Sequence, residues 1–146
     1  MESVKTDPKI KIAVADTGFV VALANKKDPY HLPAYTLYRQ IAKIILPQTT
    51  LVESAYLIGK FGGTRAVTHF LTSVPVSRYV PTALHDSDFA RIAQLLSTYA
   101  DTRIDFVDAS VMIIAERLQI DTILTLDRRD FSIVRPTHCE ALTLLP

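Results

Sequence analysis

Apolar residues along this chain follow two spacings, one suited to buried strands and one to helices. Ile10 to Ala15 is a short, almost continuous apolar run, as expected of a strand buried on both faces, and it stops at Asp16. Thr17 to Asn25 follows as a helix with Phe19, Val20 and Leu23 on one side. Helical spacing of Leu37, Ile41 and Ile44 or Ile45 predicts a second helix over Pro33 to Ile45. Pro47 separates it from a third, which begins near Thr50 and closes at Gly62-Gly63. Thr64 stands where an N-cap would for a helix running through Val67, Phe70 and Leu71. Val76 to Val80 predicts a strand. Leu84 to Tyr99 predicts an amphipathic helix with Phe89, Ile92, Ala93 and Leu96 inward, and Asp86 and Asp88 in its first turn complement the helix dipole. Residues 106 to 118 predict another helix, with Val107, Val111, Ile114, Ala115 and Leu118 as its core stripe, and Thr122 to Leu126 is a β-branched strand that stops at Asp127.

Strands alternating with helices predict the α/β class, with a parallel-stranded central sheet and helices on both faces. No repeat, low-complexity tract or flexible linker divides the chain, so residues 1–9 are read as a polar tail and residues 10–146 as one domain. At 146 residues and 49% hydrophobic, the chain is long and apolar enough to enclose one core. With 16 Lys and Arg against 15 Asp and Glu, the net charge is +1. Such a balance creates no general attraction to nucleic acid, and a nucleic-acid partner has to be met by a local basic patch. A single cysteine, Cys139, excludes an internal disulfide and offers no zinc site of familiar spacing; a reducing cytoplasm fits. Lys9 and Lys11 precede an apolar stretch, Ile12 to Ala24, that resembles an export signal, but Asp16 and Gly18 interrupt it and argue against export. No stretch approaches the roughly 20 apolar residues of a membrane helix.

The acids are the informative residues. Asp16 and Asp127 each stand just past the C-terminal end of a predicted strand, the edge of a parallel sheet where ligands bind. Glu53 lies about one turn into its helix. Asp108 precedes Val111 and Ala115 by three and seven residues, which turns its carboxylate toward the core side, where a lone charge is costly. Each acid also has a structural explanation. Thr50 and Glu53 match a capping box, Asp105 can cap the helix that Asp108 opens, and Asp16 and Asp127 can cap the elements after them. Convergence at one sheet edge favours a shared purpose. Carboxylates gathered there repel one another unless neutralised, and Mg²⁺ or Mn²⁺ with oxygen ligands is the natural counterion. A metal so held suits phosphodiester hydrolysis. Thr17 and Thr125 are in place to add hydroxyls, and Arg128 and Arg129, directly after Asp127, to meet phosphates or simply to form a solvated turn. Lys60 and Arg65 beside the glycine pair are read as solvated.

These residues resemble the PIN-domain ribonucleases, more closely the toxin half of VapC-type toxin–antitoxin pairs. The resemblance rests on Ala15-Asp16-Thr17-Gly18, Asp28-Pro29-Tyr30-His31, Glu53, Asp108-Ala109-Ser110 and Thr125-Leu126-Asp127-Arg128-Arg129-Asp130-Phe131, and it spans residues 12 to about 134. It implies that Asp16, Glu53 and Asp108 are catalytic metal ligands, with Asp127 or the neighbouring Asp130 as the fourth acid. Asp105 is assigned to capping or a supporting position. The resemblance further implies a PIN-like fold, a Mg²⁺- or Mn²⁺-dependent endoribonuclease, a homodimer and a small antitoxin that blocks the site. One departure is the longer segment ahead of Asp16.

Two other readings compete. A catalytically silent PIN-like module would keep the acids only to bind a protein or an ion, and a phosphoryl-accepting domain would use Asp16 or Asp127 as acceptor but lacks a suitable lysine. His31, His69, His85 and His138 show no ligand pairing, and neither a nucleophile elbow nor a phosphate or dinucleotide loop occurs. Tyr30, Tyr35 and Tyr38, near Arg39 and Lys43, are read as packing against a partner or second subunit rather than stacking on bases.

Overall fold

In the computed structural model, which describes residues 7–146, the apolar run Ile10–Ala15 forms β1, the middle strand of a five-stranded, all-parallel sheet. Ile41–Pro47 (β2) and Thr122–Leu124 (β4) flank it, and Tyr79–Thr82 (β3) and Thr143–Leu145 (β5) form the edges, in the order β3-β2-β1-β4-β5. Residues 1–6 of the expected tail lie outside the described residues. Side chains alternate across the sheet, so Ala13, Ala15, Ile44, Leu46 and Leu124 point to one face and Val14, Ile45 and Ile123 to the other. Thr17–Ala24 (α1), His31–Tyr38 (α2) and Gln48–Ser73 (α3) cover the first face through Phe19, Val20, Ala34, Leu37, Ile58 and Phe70. Asp86–Thr98 (α4), Phe106–Leu118 (α5) and Arg128–Ile133 (α6) cover the second through Ile92, Leu95, Val111, Ile114 and Phe131. The expected single α/β domain with helices on both faces is what forms.

The chain runs outward from β1 to β2 and β3, then crosses to β4 and β5 on the other side. Strand order therefore reverses between β1 and β4, and the carboxyl ends of strands at such a reversal frame a crevice. Asp16 follows one of these strands directly and Asp127 follows the other after two residues.

Several elements differ from expectation. The helix predicted over Pro33 to Ile45 ends at Tyr38, and Ile41–Pro47 is a strand. Ile41 and Ile44 satisfy a helical spacing, but pairing Ile10 with Ile41 and Ala13 with Ile44 buries Ile41, Ile44, Ile45 and Leu46 between two helical layers, which a one-sided surface helix would not do. Lys43 consequently lies on β2, apart from the tyrosines of α2. The strand predicted at Val76 to Val80 begins at Tyr79, because Pro75 sits in a 3-10 turn, Val74–Val76, that leaves Val76 outside. β4 stops at Leu124 rather than Leu126, and neither β5 nor α6 was anticipated. The break expected at Gly62-Gly63 falls at Gly63, whose φ of 66° and ψ of −169° is a conformation essentially reserved for glycine; Leu71 beyond it faces outward. α5 is buried continuously from Ala109 to Ala115 rather than along one stripe, with Leu118 exposed.

The buried face of α4 is rotated from the predicted one. Phe89 and Ala93 are exposed, while Asp88, Ile92 and Leu95 point inward. Asp88 tolerates burial because both its oxygens accept from Arg117 Nε at 3.1 Å and Oδ2 also accepts from the His85 backbone N–H at 2.8 Å. Arg117→Ala strands that carboxylate and is expected to cost on the order of 3 kcal/mol in urea unfolding. Arg117→Lys, which keeps the charge, should lose less.

Candidate metal-binding cleft

The cleft is built from the ends of β1 and β4 and the N-terminal parts of four helices, α1, α3, α5 and α6. Register pairs Ala15 with Leu124, which sets the next residues, Asp16 and Thr125, side by side. The Thr125 hydroxyl donates to Asp16 Oδ2 at 2.9 Å and accepts from the Asp127 backbone N–H at 2.9 Å. One hydroxyl thus fixes both strand-end acids. Asp127 Oδ1 in turn accepts from the Asp130 N–H at 3.2 Å and caps α6, whereas Asp16 makes no such cap to α1.

The capping box proposed for Thr50 and Glu53 does not form. α3 starts at Gln48 with Pro47 at its N-cap, and Thr50 is fully buried, donating instead to the Ala15 carbonyl at 3.2 Å. That bond ties the first turn of α3 to the residue before Asp16 and leaves the Glu53 carboxylate free of the backbone. Ser110 Oγ donates to Val107 O, so the 2.6 Å contact between Thr49 and Ser110 has Thr49 as donor, and it joins α3 to α5. On α5 the expected cap does form: Asp105 Oδ1 accepts from Asp108 N–H at 2.9 Å and Asp108 Oδ2 from Asp105 N–H at 3.1 Å.

These ties bring Asp16, Glu53, Asp108 and Asp127 to one cleft of about 560 Å³, with Thr17, Asp105 and Asp130 also in its wall. Thr125 lies buried beneath it. The two candidates for the fourth acid differ in setting, since Asp127 is exposed and Asp130 is buried. Arg128 does not line the cleft; it donates to the Pro146 carbonyl. Arg129 is exposed near Asp130. Two charged lining residues escaped the sequence reading as site residues. Asp28, in the loop between α1 and α2, was quoted only as part of a motif, and Arg103, ahead of α5, belongs to no periodic pattern.

Among the lining residues there are seven carboxylates (Asp16, Asp28, Glu53, Asp105, Asp108, Asp127 and Asp130) against one cation, Arg103. Asp16 is only 6% exposed. Burial pushes its carboxyl from the ordinary 3.8 up to about 6; the Thr17 backbone and Thr125 hydroxyl offset part of this, and Glu53 and Asp127 add to it. Burial likewise raises Asp108 to about 7, partly offset by the Asp105 backbone and increased by the charges of Asp105 and Asp16. Asp130 is raised by burial and by Asp127. The Thr17 hydroxyl is buried in the cleft wall with no hydrogen-bond partner.

An all-oxygen donor set, carboxyls that resist ionisation and an orphaned hydroxyl fit a hard divalent cation. Among the described residues, no three acidic, His or Cys side chains already close on one ligating point.

A sequence model of the PIN domain matches residues 13–135. Ribonuclease VapC26 of Mycobacterium tuberculosis is 26% identical over 134 residues, which cover 91% of this chain and 99% of that protein. Among solved structures, VapC20 of Mycobacterium tuberculosis, a Sarcin-Ricin loop cleaving toxin, superimposes with a TM-score of 0.73 at 21% identity, covering 81% of this chain and 91% of that one. VapBC2 from Rickettsia felis, bound to a DNA fragment from its promoter, gives 0.66 at 19% identity, covering 91% and 96%. At these identities the superpositions establish the shared fold, and the match over residues 13–135 establishes the family: the chain belongs to the PIN domain family.

Proposed function

We propose that this protein is a Mg²⁺- or Mn²⁺-dependent endoribonuclease of VapC type, the toxin of a toxin–antitoxin pair. The observation that carries the reading is the meeting of Asp16, Glu53, Asp108 and Asp127 in one cleft at the strand-order reversal. The similarity to Ribonuclease VapC26 over nearly the whole chain supports it. Asp16, Glu53 and Asp108 would hold the metal, with Asp127 or Asp130 completing the acidic set and the Thr17 hydroxyl beside them. When bound, the cation supplies polarisation of the phosphate and of the attacking water. The chain's own contribution is placement. Thr125 orients Asp16, the reciprocal bonds with Asp105 fix one oxygen of Asp108 and leave the other available, and Thr50 anchors the helix carrying Glu53. Arg129, exposed near Asp130, would meet substrate phosphate.

Two uncovered apolar concavities suit the proposed protein partners, a second copy of the chain and an antitoxin. One, of about 710 Å³, lies beside Glu53 between α3 and α5, where Val52, Tyr56 and Phe106 are exposed. The other, of about 430 Å³, lies between α1 and the second half of α3, lined by Val20, Leu23, Phe70 and Tyr79. Tyr38 packs inward against Tyr79, while Tyr30 and Tyr35 stay exposed. The VapBC2 neighbour, a complex bound to promoter DNA, supports the antitoxin partner. No helix among the described residues is long and apolar enough to cross a membrane; a cytoplasmic site of action is part of the proposal.

Purified protein is expected to cut single-stranded RNA with Mn²⁺ and not with EDTA. Binding of Mn²⁺ without cleavage would select the silent-module reading, which the capping duties of Asp105 and Asp127 favour. Thr125→Val removes the hydroxyl that holds Asp16 and is expected to weaken Mn²⁺ binding roughly 10–100-fold by calorimetry.

A further inference from the structure

We infer that Arg103 binds a phosphate of the RNA substrate at the rim of the acidic cleft, a role that rests on the nuclease reading above. Arg103 is the single cation in the cleft wall and comes from the loop between α4 and α5, two residues ahead of Asp105. It is exposed, and among the described residues it forms no ion pair and donates no hydrogen bond, although seven carboxylates share its cleft.

Three other arginines of the fold are held by protein partners. Arg91 pairs with Glu116, Arg117 with Asp88, and Arg78 donates to the carbonyls of Tyr38 and Ile41. A guanidinium placed to neutralise the acids would grip one of them, as Arg117 grips Asp88. Arg103 instead keeps its donor fork free, the geometry that matches two oxygens of a phosphate. Its charge reaches Asp130 together with that of Arg129, which comes from a separate element. With a net charge of only +1, the chain has no general field for RNA, and a polyanion entering an acidic cleft needs local cations at the rim.

The test compares the parent protein, Arg103→Ala and Arg103→Lys in Mn²⁺-supported cleavage of a single-stranded RNA over a range of salt. Fluorescence anisotropy of the same labelled RNA, read on an Asp108→Asn background with and without Arg103→Ala, reports binding without turnover. Arg103→Ala is expected to raise KM about ten-fold while kcat stays within about three-fold, the pattern of lost substrate binding. The slope of log affinity against log salt should shrink by about 0.7, the value of one phosphate contact on a single strand. Arg103→Lys should keep that slope and recover part of the KM. Unchanged KM and salt slope overturn the inference, as does a fall in kcat with KM intact, which would place Arg103 on the acids instead. A parent that cuts nothing defeats the nuclease reading, and anisotropy then decides separately: RNA binding weakened by Arg103→Ala upholds the contact, and unchanged or absent binding overturns it.

Discussion

Asp16→Asn is expected to lower metal-dependent RNA cleavage by more than about 100-fold, since even partners that only orient a metal ligand are worth 10–100-fold. The same change should stabilise the metal-free protein at neutral pH. Asp16 is buried, meets other carboxylates, and carries a charge that burial resists. An amide of the same shape still accepts from Thr125 and has no charge to desolvate. Melting curves without metal should therefore run several degrees higher for the variant than for the parent, while turnover collapses. A variant that loses both stability and activity would indicate that Asp16 is a structural acid, and one that keeps activity would remove it from the chemistry.

The second large effect is an unusual pH dependence. Folded Asp16 has its carboxyl raised to about 6 from an ordinary 3.8, so the folded form binds the proton more readily than the unfolded chain. The stability linked to that proton is complete below about pH 3.8 and is lost as pH rises through 6. A difference of about two units corresponds to about 3 kcal/mol. Asp108, raised to about 7, acts in the same direction through a higher pH window, with a smaller effect because solvent screens its half-exposed carboxyl. Metal-free protein should accordingly melt at higher temperature at pH 5 than at pH 7.5. Mn²⁺ is expected to reverse this by binding the ionised acids: at 100 times its Kd it should raise the melting temperature at pH 7.5 by roughly 8 °C. At pH 5 protons compete and the gain should nearly vanish. A cation effect equal at both pH values would mean that it binds elsewhere.

What was legible in the sequence was whatever one period described without competition. Ile10–Ala15 reads as a buried strand because nothing polar interrupts it, and Phe106–Leu118 as a helix because its apolar residues recur over more than three turns. Ile41–Pro47 failed because a short apolar run buried on both faces cannot be told from a helix by its spacing, and only pairing with β1 decides between them. β5 is three residues at a sheet edge, too short to carry a pattern. In α4 the hydrophobic stripe was misplaced because Asp88, the residue that marks its inner side, looks like a surface acid until Arg117 arrives from another helix.

The site was legible for a different reason. Asp16 and Asp127 were found from their place at strand ends, which the order of the sheet turns into a shared cleft. What stayed hidden was the wiring. Thr50 matches a capping box locally, yet a partner 35 residues away in sequence, the Ala15 carbonyl, takes its hydroxyl. Arg128 adjoins the motif but turns to Pro146, whereas Arg103 stands outside every motif and lines the cleft. Such contacts depend on loops, which periodicity does not describe.

The most direct test is anomalous scattering from crystals soaked in Mn²⁺ at pH 7.5. Under the metal-site reading, a manganese peak is expected within bonding distance of carboxylate oxygens of Asp16 and Asp108, with Glu53 and either Asp127 or Asp130 completing the shell directly or through water. A peak only at other residues, or none in the cleft at saturating Mn²⁺, would contradict it.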